Sequence, residues 1–130
     1  MSKNAQSVPF AVLQLPYRCD VRGPDGSLLR SAVDQGAKGI VVQALGMGNM
    51  NQPMFEAVKY ALDKQVPVVI STRVYSGRVM ANYGFEGGGK TTADAGAVMA
   101  GELSPQKARI LLMLLLPKRE ERARRAAGRV

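Results

Sequence analysis

The residues best suited to chemistry lie in a loop that follows a short apolar run. The segment 46–51, of sequence GMGNMN, comes directly after the apolar run 40–44. Two glycines permit close backbone approach, and Asn49 and Asn51 carry amide donors and acceptors that could bind a polar ligand. Local chemistry supports equally a plain turn into a helix with Asn51 as its N-cap. The loop is not a dinucleotide fingerprint, because Asn51 stands where GxGxxG has its third glycine.

A second motif has the pattern of a phosphate loop. Residues 84–91, GFEGGGKT, satisfy GxxxxGK[ST]. A phosphate loop must follow a buried strand and open a helix whose N-terminus faces the phosphates. Arg78, Asn82 and Tyr83 interrupt any strand before the motif, and Gly96 shortens any helix after it. The sequence therefore favours a flexible glycine loop over a nucleotide site.

Composition excludes several kinds of enzyme. The chain has 130 residues, enough for one domain with one core, and it contains no His and one Cys. The absence of His excludes Ser-His-Asp and Cys-His catalysis and nearly every zinc site. Cys19 cannot form an intramolecular disulfide, and we expect an inert thiol. We expect no metal, no cofactor and a cytoplasmic location.

The positive charge is concentrated near the end of the chain. The formal net charge is +8, and residues 118–130, with six basic and two acidic side chains, hold half of the excess. Such a segment could contact nucleic acid phosphates, but it has no aromatic residue for base stacking. A solvated helix end is the commoner outcome, so we expect no nucleic acid partner. No apolar run approaches the roughly 18 residues of a membrane span, so we expect no membrane partner either.

Hydrophobic patterning predicts an α/β domain. Apolar runs at 10–15, 40–44 and 66–71 predict three strands, separated by two segments of helical periodicity. Strands that alternate with helices over such short distances predict consecutive βαβ units and a parallel sheet. In the first helix, Leu28, Leu29, Ala32 and Val33 recur at helical spacing. The second opens at Pro53, and its predicted buried stripe is Phe55, Val58, Tyr60 and Leu62.

The rest of the chain is predicted as one long loop and one helix. Residues 73–96 lack regular periodicity, and loops of such length are often functional. Ser104 and Pro105 are typical of a helix start, the segment 108–116 is almost wholly apolar, and Pro117 is predicted to end the helix. So apolar a helix must be sandwiched in a core or covered by another chain. Self-association is expected for that reason.

Ligands of parallel α/β sheets bind beyond the carboxyl ends of the strands. The candidate site is therefore formed by the segments 15–26 and 46–52 and the residues from Thr72 onward.

Four segments resemble the C-terminal domain of the bacterial-type L-asparaginases. They are GAKGIVVQALGMGN (36–49), VPVVISTRVYSGRV (66–79), NYGFEGGG (82–89) and AGELSPQKARILLMLLL (100–116). The resemblance implies a flavodoxin-like three-layer domain with a small parallel sheet over residues 10–117, a lead-in at 1–9 and a basic tail at 118–130. It also implies a role in hydrolysing L-asparagine to L-aspartate and ammonia.

The resemblance also implies that this chain holds half of an active site. The catalytic threonines and the Asp-Lys pair of the family lie in an N-terminal domain with TGGT-like and DGTDT-like motifs, which this sequence lacks. The family builds each site between the N-terminal domain of one subunit and the C-terminal domain of its neighbour. The asparagine that this half supplies corresponds to Asn49, and an acidic residue supplied by some members corresponds to Glu86. Two alternatives remain open: an amide or amino-acid binding module without catalysis, and a degenerate remnant.

Overall fold

The computed structural model describes the backbone of residues 12–16 and all atoms of residues 25–128, and its sheet is fully parallel. The strands are β1 (Val12–Pro16), β2 (Gly39–Ala44), β3 (Val68–Thr72) and the two-residue β4 (Val98–Met99). They are hydrogen-bonded in chain order, β1-β2-β3-β4. The three predicted strands are therefore confirmed as adjacent and parallel.

Helices cover both faces of the sheet. They are α1 (Ser27–Asp34), α2 (Gln52–Asp63), α3 (Gly89–Asp94) and α4 (Pro105–Ala126). The side chains of α1 and α2 share one core with β2 and β3, whereas those of α4 pack on the opposite face. The result is a three-layer α/β domain with a small parallel sheet, consistent with a flavodoxin-like fold.

The alternation of side chains along β2 explains why the domain has a hydrophobic core on each face of the sheet. Ile40 and Val42 belong to the core beneath α1 and α2, while Val41 between them packs with Ala108 and Leu116 of α4. Successive side chains of a strand point to opposite faces, and here both faces are buried. That is why β2 shows continuous hydrophobicity instead of alternation.

The predicted helix stripes are correct in part. The helical spacing of the first segment is confirmed; Leu29, Ala32 and Val33 are buried, whereas Leu28 is 63% exposed. Leu28 and Leu29 point about 100° apart on a helix, and only one of them can face the sheet. In α2, Phe55 and Val58 are buried, whereas Tyr60 and Leu62 are half-buried at the margin of the same core; Met54, Ala57 and Ala61 complete the buried face.

The prediction that Pro117 ends the last helix was wrong. The helix α4 continues through Ala126, although an interior proline removes one backbone hydrogen bond and costs about 3 kcal/mol. The nine residues that follow are all Lys, Arg, Glu or Ala, which are strong helix formers. Arg125 also pairs with Glu121, at 2.6 Å between nitrogen and oxygen. The basic tail is a solvent-exposed helical extension as far as Ala126.

The sequence did not predict two short elements, one inside the irregular segment 73–96 and one just after it. The helix α3 lies within that segment and ends before Gly96, whose φ is +112°. The strand β4 follows and pairs with β3 through Val98 and Met99. Two residues carry too little pattern to be recognised as a strand. No helix of the described residues is long and apolar enough to cross a membrane.

Candidate functional site

The loop after β2 folds back on itself at the carboxyl edge of the sheet. The backbone N–H of Leu45 donates to the carbonyl of Asn49 at 3.0 Å, and the Leu45 carbonyl accepts from the N–H groups of Gly48 and Asn49 at 2.8 and 2.9 Å. Gly46 and Gly48 both have positive φ, +49° and +112°. The two glycines predicted to give the loop its freedom therefore supply left-handed backbone that other residues rarely adopt.

Gly48 is also packed too closely to carry a side chain. A β-carbon added there would lie 2.8 Å from Cγ1 of Val79 and 3.3 Å from Cγ2 of Ile70. Apart from its chain neighbours, no atom of the described residues lies within 4 Å of the corresponding position on Gly46. Gly48 thus fits the loop against β3 and against the buried Val79, and this contact fixes the position of the residue that follows, Asn49.

The carboxamide of Asn49 has an unsatisfied buried atom. Its Oδ1 is shielded from solvent and has no hydrogen-bond partner among the described residues. It is the one side-chain oxygen or nitrogen of those residues in this state. An unpaired buried acceptor costs about 1–3 kcal/mol, and native proteins rarely keep one without a reason. The free oxygen can accept a hydrogen bond from an ammonium, amide or hydroxyl group brought in by a ligand or a partner chain.

Asn51 has the structural role that the local pattern also predicted. Its Oδ1 accepts the backbone N–H of Met54 at 3.0 Å and caps the N-terminus of α2. The two asparagines of the loop are therefore distinct, since one caps a helix and the other holds an unpaired acceptor.

The glycine-rich loop lies directly beside this turn. The N–H of Met50 donates to the carbonyl of Gly87 at 2.9 Å, and the N–H of Met80 donates to the carbonyl of Met47 at 3.1 Å. Gly87, with φ +85°, lies against the Met50 carbonyl so closely that a side chain would collide with it. Tertiary contact thus brings together two loops that lie far apart in sequence.

Glu86 lies at the exposed turn of the glycine-rich loop. The hydroxyl of Thr91 donates to the carbonyls of Phe85 and Gly88, at 2.8 and 3.0 Å, on either side of this turn. The buried hydroxyl of Thr92 donates to the Gly88 carbonyl as well. Sequence reasoning identified Glu86 but gave no role to the two threonines. The position of these two threonines near the start of a helix could have revealed their role, because hydroxyl groups there often bond to nearby backbone.

The context that a phosphate loop requires is missing around residues 84–91. The preceding residues 78–84 form no strand, and the helix that follows, α3, has only six residues. The glycines and Thr91 of this pattern, together with Thr92 after it, instead brace the loop that carries Glu86.

Hydroxyl groups at this edge bond to backbone and not to a base. Ser71 donates to the carbonyl of Leu103 at 3.1 Å, and Oγ1 of Thr72 accepts the N–H of Val74 at 3.1 Å. Both residues are buried at the end of β3. Nucleophilic catalysis needs a hydroxyl next to an activating base, and neither pair provides one. In the same described residues no three acidic or sulfur side chains cluster as a metal site would require.

A cavity of about 340 Å³ lies at the carboxyl edge of the sheet, just beyond the end of β3. Arg73 lines one side of it, and Ser104 and Pro105 at the start of α4 line the other. A larger cavity, of about 610 Å³, lies at the opposite edge beside Lys38 and Pro67, away from Asn49. The segment 15–26 was also predicted to belong to the site. Its residues 17–24, which include Cys19, lie outside the described residues, and so does the lead-in at 1–9.

Comparison with known proteins identifies the family. The model of the glutaminase/asparaginase C-terminal domain matches residues 21–127. The chain is 44% identical over 80 residues to a probable L-asparaginase of Deinococcus radiodurans, a match that covers 62% of this chain and 24% of that protein. It is 32% identical over 104 residues to an L-asparaginase of Bacillus licheniformis, covering 80% of this chain and 32% of the relative.

A third relative carries a different name. It is a glutamyl-tRNA(Gln) amidotransferase component of Aeropyrum pernix, 34% identical over 94 residues, which cover 72% of this chain and 22% of that protein. The chain thus spans between about a fifth and a third of the length of the curated relatives it matches.

Proposed function

This chain belongs to the glutaminase/asparaginase C-terminal domain family, and we propose from that membership that it supplies half of an amide-hydrolysing active site. Its reaction is the hydrolysis of L-asparagine to L-aspartate and ammonia, carried out together with an N-terminal catalytic domain on another chain. We propose a cytoplasmic location, which fits a chain whose single cysteine can form no internal disulfide.

The observation that carries this proposal is the unpaired Oδ1 of Asn49. The oxygen is buried in a turn that Gly48 and the Met50–Gly87 hydrogen bond hold in place. The oxygen is shielded from solvent in this chain by itself, so the surrounding loop opens when the ligand or the partner domain docks, and the new hydrogen bond removes the cost of an unpaired buried acceptor. In the proposed site it accepts an N–H of the amino acid substrate or a donor of the partner domain, and so orients the reacting groups.

The chain needs its partner for the chemistry itself. The carboxamide of Asn49 neither gains nor loses a proton near neutral pH, so it cannot act as a general base. The carboxylate of Glu86 lies at an exposed turn. Amide hydrolysis requires an activated nucleophile and donors for the developing oxyanion, which the N-terminal domain of the family supplies. Asn49 and Glu86 therefore act as binding residues, and no catalytic residue is assigned to this chain.

Exposed apolar side chains at the carboxyl edge support docking of that partner. Tyr83 and Phe85 belong to the glycine-rich loop and Met80 lies just before it, while Val74 and Tyr75 follow β3. The rings of Tyr83 and Phe85 lie 5.8 Å apart between centroids, next to Glu86. Apolar groups grouped in this way at a ligand edge are typical of an interaction surface. We also propose that the chain forms the homo-oligomer expected from its apolar helix.

The proposal is tested by complementation. The purified chain is mixed with the N-terminal domain of a family enzyme that lacks its own second half, and ammonia release from L-asparagine is measured. The mixture turns over substrate, and neither part does so alone. Asn49→Ala lowers the restored kcat/KM by one to two orders of magnitude, which is about 1.4–2.7 kcal/mol of transition-state stabilisation.

The matched control is Gln35→Ala, which removes an exposed carboxamide at the far end of α1, away from both loops, and leaves the restored rate unchanged. Ammonia release by the chain alone, abolished by mutating one of its own Ser or Thr residues, would contradict the proposal. Calorimetric binding of L-asparagine by the chain alone, with no turnover in the mixture, would show a binding module instead.

A further inference from the structure

The outward face of α4 carries an aliphatic centre between basic ends. Ile110, Leu111, Leu114 and Leu115 are 57, 43, 65 and 48% exposed. Lys107 precedes them at helical spacing, and Lys118, Arg122 and Arg125 follow at intervals of three or four residues. Residues so spaced lie along one side of a helix. Ala108 and Leu116, on the other side, are buried against the sheet.

Glu121, the acidic residue on this face, is neutralised by an ion pair with a basic residue of the same face. Glu121 pairs with Arg125 at 2.6 Å, and the other cations of this face, Lys107, Lys118 and Arg122, form no ion pair with the described residues. The outward face of α4, as defined by these residues, therefore presents cations at both ends of an apolar ridge. Its occupant must supply apolar groups in the middle and negative charge on both sides.

A second copy of the chain does not meet this requirement. The aliphatic side chains are symmetric about the point between Leu112 and Met113, so antiparallel pairing that joins the two ridges places Lys107 opposite Lys118 of the other copy. Parallel pairing places each cation opposite its own equivalent. Both arrangements bring like charges together, which disfavours the association.

We propose that the outward face of α4 binds the surface of an anionic phospholipid bilayer. A helix with aliphatic residues on one face and flanking Lys and Arg can lie in the plane of the membrane interface, and each cation near an anionic leaflet adds to the attraction. The helix packs on the sheet through Ala108 and Leu116, and the apolar ridge on its other side is exposed. A bilayer deforms around a convex ridge, whereas a nucleic acid offers phosphates but no cover for four aliphatic side chains.

This binding needs no membrane span. The sequence excluded a membrane partner because no apolar run is long enough to cross a bilayer, and a helix that lies on the surface has no such length requirement. The inference is independent of the proposed amide site, since the outward face of α4 is on the opposite side of the sheet from α2, which Asn51 caps.

The experiment uses the absence of tryptophan from the chain. Leu114→Trp introduces one fluorophore on the outward face of α4. Leu28→Trp is the matched control, because Leu28 is 63% exposed against 65% for Leu114 and lies on α1 across the sheet. Both full-length variants are titrated with vesicles of phosphatidylcholine alone and with vesicles that contain about a third phosphatidylserine, an anionic leaflet composition.

The emission of the Leu114→Trp protein shifts to the blue with the anionic vesicles, while that of the Leu28→Trp protein does not. Wild-type chain co-sediments with the same vesicles, and raising the salt to about 1 M, where the Debye length falls to about 3 Å, releases it. Lys118→Gln/Arg122→Gln weakens co-sedimentation by about tenfold or more, whereas Lys59→Gln/Lys64→Gln on α2, with the same loss of charge, weakens it far less.

Several results overturn the proposal. They are an unshifted emission with anionic vesicles, equal binding to neutral vesicles, and binding of polyuridylate or an acidic protein without vesicle binding. A concentration-dependent blue shift without vesicles would show that a second copy covers the face, and that also overturns it. Because the wild-type sedimentation needs no substitution, a variant that fails to fold leaves the test intact.

Discussion

Replacing Gly48 with alanine is expected to destabilise the protein far more than the same change two residues earlier. Both positions have positive φ, so both substitutions force an L-residue into left-handed backbone. At Gly46, with φ +49° and open space around it, that strain is the whole penalty, about 1 kcal/mol. Gly48, with φ +112°, lies outside the small allowed left-handed region and is strained by roughly 1–3 kcal/mol.

The new methyl group at position 48 adds a steric penalty. It would lie 2.8 Å from Cγ1 of the buried Val79, and overpacking of this kind typically costs about 1–3 kcal/mol. The sum for Gly48→Ala is about 4 kcal/mol, a large part of the roughly 5–15 kcal/mol of a typical domain. Urea unfolding followed by circular dichroism measures both variants, and unchanged m values make the midpoints comparable.

The steric part is isolated by a double-mutant cycle. Val79→Ala removes the colliding Cγ1, so Gly48→Ala costs less in that background than in the wild type, with a coupling of at least about 1 kcal/mol. The cycle also gives an answer if Gly48→Ala alone is too unstable to purify. Equal free energies of unfolding for the Gly46 and Gly48 variants, or no coupling with Val79, would refute this account of how the loop is held.

Two further predictions concern α4 and the outer side of α1. Leu116→Ala is expected to cost about 2–5 kcal/mol of unfolding free energy because its side chain is buried against β2, whereas Leu114→Ala stays within about 0.5 kcal/mol; similar losses would contradict the packing of α4. The hydroxyl of Tyr60 donates to Asp34 at 2.6 Å, and this bond to the carboxylate raises the pKa of the phenol. Its contribution to stability is present below the ordinary tyrosine pKa and is lost as the pH rises through the higher folded value. Asp34→Asn therefore lowers the pKa of Tyr60 in a spectrophotometric titration, and an unchanged or higher pKa would contradict this.

The sequence determined the parts of this protein that depend on neighbours along the chain. The strands β2 and β3 are visible as apolar runs, and α2 is visible from its periodicity and its asparagine cap, because each pattern is complete within a few residues. Short-range sequence patterns also identified the Asn49 loop, because its two glycines favour a particular backbone geometry. Prediction from such patterns failed at Pro117, where the helix-forming residues after the proline outweighed its tendency to end a helix.

Which distant residues meet depends on how the whole chain packs. The strand β4 exists through its pairing with β3, and its two residues alone indicate nothing. The exposure of Leu28 depends on which side of α1 faces the sheet. The contact between Met50 and Gly87, and the unpaired oxygen of Asn49 beside it, arise from the packing of two loops far apart in sequence. Burial and hydrogen-bond partnership are relations between segments, so a linear pattern can name Asn49 but cannot show that its oxygen is buried and unpaired.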